Sequence, residues 1–455
     1  MKTIANKLTL GIDIGTTKIA VALIDAETRA AVVTESLAHT SDVQGLPNGH
    51  SEQAVARIMA TLDICMGMLP EDMRKRVVAM GVTGQMHGIV LWSTLTGETS
   101  NLITWQDQRC LEGRFIDYVR DITGDATAQS GYGLSTLAWM LKNAPSYVAG
   151  FDKCGTIHDY LVYLLTGGKE TFTDPSDAAS WGMFDLRSRD WDLDKVRRAG
   201  INAELLPKVS PAGSVVGALT TEVANRWGLP SGVYVGNAIG DNQASLYGSL
   251  TDPEHQMAIT VGTGAQLSVV VPSLPADLPD KRGKYEFRPY VGDSYLAVAA
   301  SLTGGRTLAA LARAIKDFLT QMGIGNSPSL EDIQTAMHEQ GMRGIATQLR
   351  ANPSFSGERY DPSLRGSFSN LSFENFTIGD MTAALCKGLV VGLFNSLPKE
   401  YLASRREIVG SGNAIRRSAL MQQTIREVFN CTLSLKEGSE TTACGAALLA
   451  ADQLR

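Results

Sequence analysis

LTLGIDIGTTKIAVALI, residues 8–24, reads as two apolar strands joined by a Gly-Thr turn, and MAITVGTGAQLSVVV, residues 257–271, reads the same way. Aligned, Gly15-Thr16 falls opposite Gly262-Thr263, and Asp13 opposite Thr260. Two unrelated glycine hairpins would give this pattern. A duplicated domain, one copy starting near residue 8 and the other near residue 250, gives it too. A glycine-rich turn offers backbone N–H groups to phosphate oxygens, so two such hairpins across a cleft would grip a polyphosphate. Only the first copy carries a carboxylate, which suits one magnesium ion reached through water.

The rest of the chain alternates as α/β. Residues 76–82 and 233–239 read as buried strands. Residues 380–397 read as a helix capped by Asp380, with Leu385, Leu389, Gly392, Leu393 and Leu397 at helical spacing. ACGAALLAA, residues 443–451, is a helix of small residues that must pack closely. Residues 318–347 read as a helical insert. A boundary falls near residues 245–255, giving domains 1–248 and 249–455. The 455 residues suit this division.

The net charge is −6, and no run of Lys and Arg forms a basic face, which argues against nucleic-acid binding. Residues 1–7 hold no apolar signal core, and no apolar stretch is long enough to span a bilayer. A cytoplasmic protein without a membrane partner is expected. The six cysteines form no CxxC pair and no HExxH is present, so buried free thiols are expected rather than zinc or disulfides. A GxxxxGK[ST] phosphate loop and a strand-borne GxGxxG are also missing from the sequence. The sequence is compatible with a homodimer without fixing the oligomeric state.

GNAIGDNQA, residues 236–244, places Asp241 after a buried strand and a glycine turn, at the start of a helix. Such an Asp is an ordinary cap. In a cleft it is also a natural general base for a hydroxyl group. GVTGQMHG, residues 81–88, offers Gln85 and His87 to a polyol. ITWQDQR, residues 103–109, offers Trp105 as an apolar platform and Asp107 as an acceptor. Gly410-Ser411-Gly412-Asn413 follows a strand and leads into a helix over 415–429; Leu302 to Arg306 opens another helix at Gly304-Gly305. Close backbone approach to a nucleotide needs glycine at such turns.

These motifs together resemble the FGGY carbohydrate kinases of the actin/hexokinase/Hsp70 superfamily, along essentially the whole chain. GIDIGTTKIAVALID and VGTGAQ are similar to that family's two phosphate motifs, and IHDYLVYLLTG, TDPSDAASWGMFD, PSFSGERYDP and GSGNAIRRSALMQQ to its later segments. Within it, VTGQMHG, LITWQDQRC, GTIHDY, AASWG and VAASLTGG resemble sedoheptulokinases more than xylulokinases or glycerol kinases. The resemblance implies two actin-like (ribonuclease H-like) α/β domains of duplicated origin with a ligand cleft between them. It implies transfer of the ATP γ-phosphate to a terminal hydroxyl of a ketose, sedoheptulose or otherwise xylulose or another polyol, with Mg²⁺.

Under that resemblance Asp241 is the catalytic base and Asp13 positions the metal. Gln85, Met86, His87, Trp105, Asp107 and Asn242 join Asp241 around the sugar. ATP falls to Gly15, Thr16 and Thr17 in the first half, and to Gly262, Thr263, Gly264, Gly304, Gly305, Gly412 and Asn413 in the second. Relatives that bind ATP or sugar without catalysis exist in the same superfamily; the pairing of Asp241 with the GQMHG loop favours an enzyme.

Overall fold

Residues 8–14 alternate large apolar side chains with small or polar ones, and the fold uses the two sets on opposite faces of one strand. In β1 (Leu8–Ile14), Leu8, Leu10, Ile12 and Ile14 are fully buried in a core that includes Ile58 and Leu62 of the helix Val55–Met68. On the other face lies the C-terminal helix Thr441–Asp452. A Cβ added at Gly11 would lie 1.8 Å from the Ala443 carbonyl oxygen, and one at Gly81 would lie 2.1 Å from that of Ala446. Backbone-to-backbone contact of this kind is why the helix is built from Ala and Gly.

The computed structural model describes residues 6–168, 170–279, 283–326, 328–358, 360–436 and 440–454. It forms two compact units. The first is Met1–Ser249 with Pro289–Asp293 and Gly438–Arg455; the second is Leu250–Arg288 with Ser294–Glu437.

In the first unit β1 pairs antiparallel with β2 (Lys18–Asp25), and β2 pairs antiparallel with β3 (Ala31–Ala38). On the other side of β1 lies the parallel strand β4 (Val77–Gly84). The strands β5 (Val215–Ala218) and β6 (Tyr234–Gly236) extend the sheet to the order β5-β6-β4-β1-β2-β3, and β7 (Ile239–Gly240) runs parallel to the end of β4.

The second unit holds β8 (Gln256–Val261), β9 (Ala265–Val271), β10 (Tyr285–Pro289), β11 (Tyr295–Ser301), β12 (Glu407–Ser411) and β13 (Thr432–Leu435), in the order β10-β11-β9-β8-β12-β13. The β8–β9 hairpin is antiparallel, β11 is antiparallel to β9, and β12 and β13 run parallel to β8. Each sheet therefore sets three antiparallel strands beside parallel ones added at the first strand of the hairpin. The duplication read from the two Gly-Thr turns is a repeat of topology.

Several expectations are corrected. The helix Thr441–Asp452, assigned by sequence to the second domain, packs with the first unit, because its small residues need Gly11 and Gly81 as their floor. The helix expected over 380–397 is Ile378–Phe394, and its cap is the Thr377 side chain, which accepts from the Asp380 N–H. The helix expected over 415–429 is two, Asn413–Arg416 and Ala419–Phe429, the second capped by Ser418. Residues 318–347 take in the end of Gly305–Gln321 and the helix Leu330–Arg343. Among the described residues no helix is long and apolar enough to cross a membrane.

Candidate active site

In the first unit the Gly15–Thr17 turn closes with the Gly15 N–H donating to the Lys18 carbonyl over 3.0 Å. Asp13 sits just before it, half-buried, with Oδ1 fully buried and without a hydrogen-bond partner among the described residues. Its carboxyl is pushed up to about 7, first by burial and then by the charges of Asp241 and Glu440, with Lys18 acting the other way. Two of these influences come from residues more than two hundred positions distant, so the fold gathers Asp13, Asp241 and Glu440 at one place. Lys18 holds Glu440 at 2.7 Å.

Asp241 is the first residue of the helix Asp241–Tyr247, directly after β7, and is half-buried. Its turn is braced from beneath. The Gly240 N–H donates to the Ser176 hydroxyl over 3.2 Å, and that hydroxyl donates to Asp174 over 2.8 Å. Asp174 caps the helix Pro175–Ser180 through the N–H groups of Ser176 and Asp177. Asp177 in turn meets His158 Nε2 at 2.7 Å with both side chains fully buried. Burial raises the Asp177 carboxyl and lowers the His158 imidazole. Met86 lies against Gly240: a Cβ there would be 2.5 Å from the Met86 methyl group. The GQMHG loop and the Asp241 turn thus touch. Asn242 follows Asp241 on the same helix, also half-buried.

The other residues expected at the sugar divide. Gln85 is buried and its side-chain amide donates to Gln53 over 3.0 Å. His87 takes a left-handed backbone (φ 73°), donates from Nδ1 to the Ser180 carbonyl over 2.8 Å, and stacks on Tyr132 with ring centres 4.8 Å apart. Trp105 is 46% exposed, and its indole N–H donates to the Thr16 hydroxyl over 3.0 Å. It borders an open cleft of about 740 Å³ shared with Gln106, Gln108 and Gln129.

Asp107 requires a correction. It is buried, and its oxygens accept from the N–H groups of Ser51 and Arg109 and from Nε and Nη2 of Arg109. With all four acceptor positions filled it has no capacity for sugar hydroxyls and anchors the loop instead. The Asp-x-Arg spacing was the signal for this pairing.

In the second unit the three glycine loops converge. The Gly305 N–H donates to the Gly262 carbonyl over 2.8 Å. A Cβ on Gly304 would lie 2.3 Å from the Gly264 carbonyl oxygen. Gly412 has φ 92°, and a Cβ there would lie 2.3 Å from the Val261 carbonyl oxygen. Thr263 and Asn413 are exposed at the rim of the cluster. Buried Glu358 fixes the Leu302–Thr303 approach by accepting from the Leu302 N–H and the hydroxyls of Ser301 and Thr303. Glycines packed this tightly leave main-chain N–H groups as the chemistry of the surface, which suits an anionic ligand.

Residues 8–248 match the N-terminal domain of the FGGY family of carbohydrate kinases. The sedoheptulokinase of Homo sapiens is 32% identical, over 98% of this chain and 97% of that one. The chain belongs to the FGGY family of carbohydrate kinases. The xylulose kinase of Staphylococcus xylosus is 26% identical, over 97% of this chain and 90% of that one. Among solved structures, a xylulose kinase from Rhodospirillum rubrum superposes with a TM-score of 0.80 at 22% identity, covering 98% of this chain and 89% of that one. The fold is that of the FGGY kinases, two actin-like α/β domains, and the chain is a phosphotransferase with an alcohol group as acceptor.

Sequence reasoning missed Gln53, Lys18, Glu440 and the Asp174–Ser176 brace. Only the Asp-Pro dipeptide at 174–175 gave a local signal, that of a capped helix start.

Proposed function

We propose that this kinase transfers the γ-phosphoryl group of ATP to a terminal hydroxyl of sedoheptulose, with Asp241 as the general base. The observation that carries the reading is the gathering of Asp13 and Asp241 in one half-buried site beside the GQMHG loop. A carboxylate there accepts the hydroxyl proton as the sugar oxygen bonds to phosphorus and the bond to ADP breaks. The brace from Ser176 to Gly240 holds the turn that aims it. Gln85, Met86, His87, Trp105 and Asn242 are the sugar-side residues of this reading.

Gly15, Thr16 and Thr17 take phosphate oxygens in the first unit. Gly262, Thr263, Gly264, Gly304, Gly305, Gly412 and Asn413 take the nucleotide in the second. Magnesium fits Asp13, a hard-oxygen donor with one buried oxygen unpartnered among the described residues. When bound it draws off phosphate charge. The choice of sugar is supported by 32% identity to a sedoheptulokinase against 26% to a xylulose kinase. We place the enzyme in the cytoplasm, a reading supported by six free cysteines, four of them buried.

The test is ADP release from Mg-ATP with sedoheptulose, xylulose, ribulose or glycerol as acceptor. Sedoheptulose gives the highest kcat/KM on this reading. Equal or better turnover of another acceptor overturns the sugar assignment, and no acceptor-dependent release overturns the base assignment with it.

A further inference from the structure

Gln53 lies in a two-residue strand, Glu52–Gln53, that pairs antiparallel with Leu102–Ile103, two residues before Trp105. Its side chain is buried. The amide nitrogen donates to the Thr16 main-chain oxygen over 2.8 Å and to Asp42 Oδ1 over 2.9 Å. The amide oxygen accepts from Gln85 Nε2 over 3.0 Å. Only one orientation of the amide works, because the reverse would face its oxygen with a carbonyl and a carboxylate. The Thr16 hydroxyl completes a ring: it accepts from the Trp105 indole and lies 3.5 Å from the Gln85 amide oxygen. Four segments distant in sequence thus meet at one buried amide.

We propose that Gln53 is a positioning residue that couples the sugar loop to the phosphate turn, so that ketose binding improves nucleotide binding. This rests on the kinase reading above. The peptide between Thr16 and Thr17 is trans, so fixing the Thr16 carbonyl on Gln53 fixes the Thr17 N–H in the opposite direction. A sugar that engages Gln85 and Trp105 acts on the two groups that share Thr16 with Gln53. It sets the turn through them without touching a phosphate. Gln53 itself touches neither ligand.

The experiment measures the dissociation constant of Mg-AMPPNP by calorimetry with and without saturating sedoheptulose. It uses the wild type, Gln53→Leu and, as a control on the same strand, Glu52→Gln. In the wild type and in Glu52→Gln the sugar tightens nucleotide binding at least about fivefold, within the usual range of site-to-site coupling. In Gln53→Leu the ratio falls to about one, while the sugar alone binds within about threefold of wild type. A merely structural role would lower the melting temperature and the active fraction but leave that ratio intact. Coupling retained in Gln53→Leu, or lost equally in Glu52→Gln, overturns the inference alone. A wild type without sugar-dependent ADP release overturns the kinase reading itself.

Discussion

The ammonium of Lys18 lies 2.7 Å from the carboxylate of Glu440, joining the end of the first phosphate turn to the residue before the C-terminal helix. Lys18 is 44% exposed on its side chain and Glu440 only 5%. Removing Lys18 therefore leaves a buried carboxylate close to Asp13. Lys18→Met should destabilise the protein by about 1–2 kcal/mol, between the values for exposed and buried pairs. The double variant Lys18→Met/Glu440→Gln should recover most of that loss. Urea unfolding of the two singles and the double checks it; equal losses in Lys18→Met and the double variant would contradict it.

Asp13 makes stability depend on pH. Its folded carboxyl titrates near 7 against 3.8 for the ordinary group. The folded state therefore holds a proton that the unfolded chain has lost between those values, and stability falls as pH rises from about 4 to about 7. Asp13→Asn removes this slope and should raise the apo melting temperature at pH 8 by several degrees, while weakening Mg-nucleotide binding. Melting curves of the apo forms at pH 5 and pH 8 decide it: a wild type more stable at pH 8 by an amount that Asp13→Asn abolishes would reverse the sign.

Gly412 tests the nucleotide surface of the second unit. Its φ of 92° and the 2.3 Å approach to the Val261 carbonyl leave no room for a methyl group. Gly412→Ala should raise KM for ATP about tenfold or more, equivalent to about 1.4 kcal/mol. KM for the ketose at saturating ATP should stay within about twofold. Steady-state kinetics with each substrate varied in turn gives the answer, and an unchanged KM for ATP would remove Gly412 from the site.

Asp107 separates anchoring from recognition. Asp107→Asn leaves Arg109 with Glu52 as its one anionic partner among the described residues in a buried place, a break that costs about 3–5 kcal/mol in buried pairs. The variant should melt well below wild type yet keep the same ratio of kcat/KM for sedoheptulose over xylulose. A changed ratio with unchanged melting would return Asp107 to the sugar site.

What the sequence disclosed was local. Gly15-Thr16, Gly262-Thr263 and Asp241 each carry their meaning in a few neighbouring residues, so the hairpins and the turn could be read directly. The small-residue helix was legible as closely packed, but its partner was not, because Gly11 and Gly81 lie hundreds of residues earlier and a glycine in a strand looks like a weakness. Gln53 and Glu440 gave no signal at all: their roles arise from partners that only the folded chain supplies. Asp107 was misread because its acceptor character was weighed without the Arg109 two positions on.

Proton transfer from a bound ketose hydroxyl to Asp241 is the step on which the proposed reaction turns. Its most direct test is ADP release by Asp241→Asn with saturating Mg-ATP and sedoheptulose, alongside circular dichroism and sugar binding by calorimetry. Native spectra, sugar affinity within a few-fold of wild type, and kcat lowered by about 10²–10⁴, the range for loss of a general base, are expected. Turnover within a factor of about three of wild type, far below that range, would contradict it.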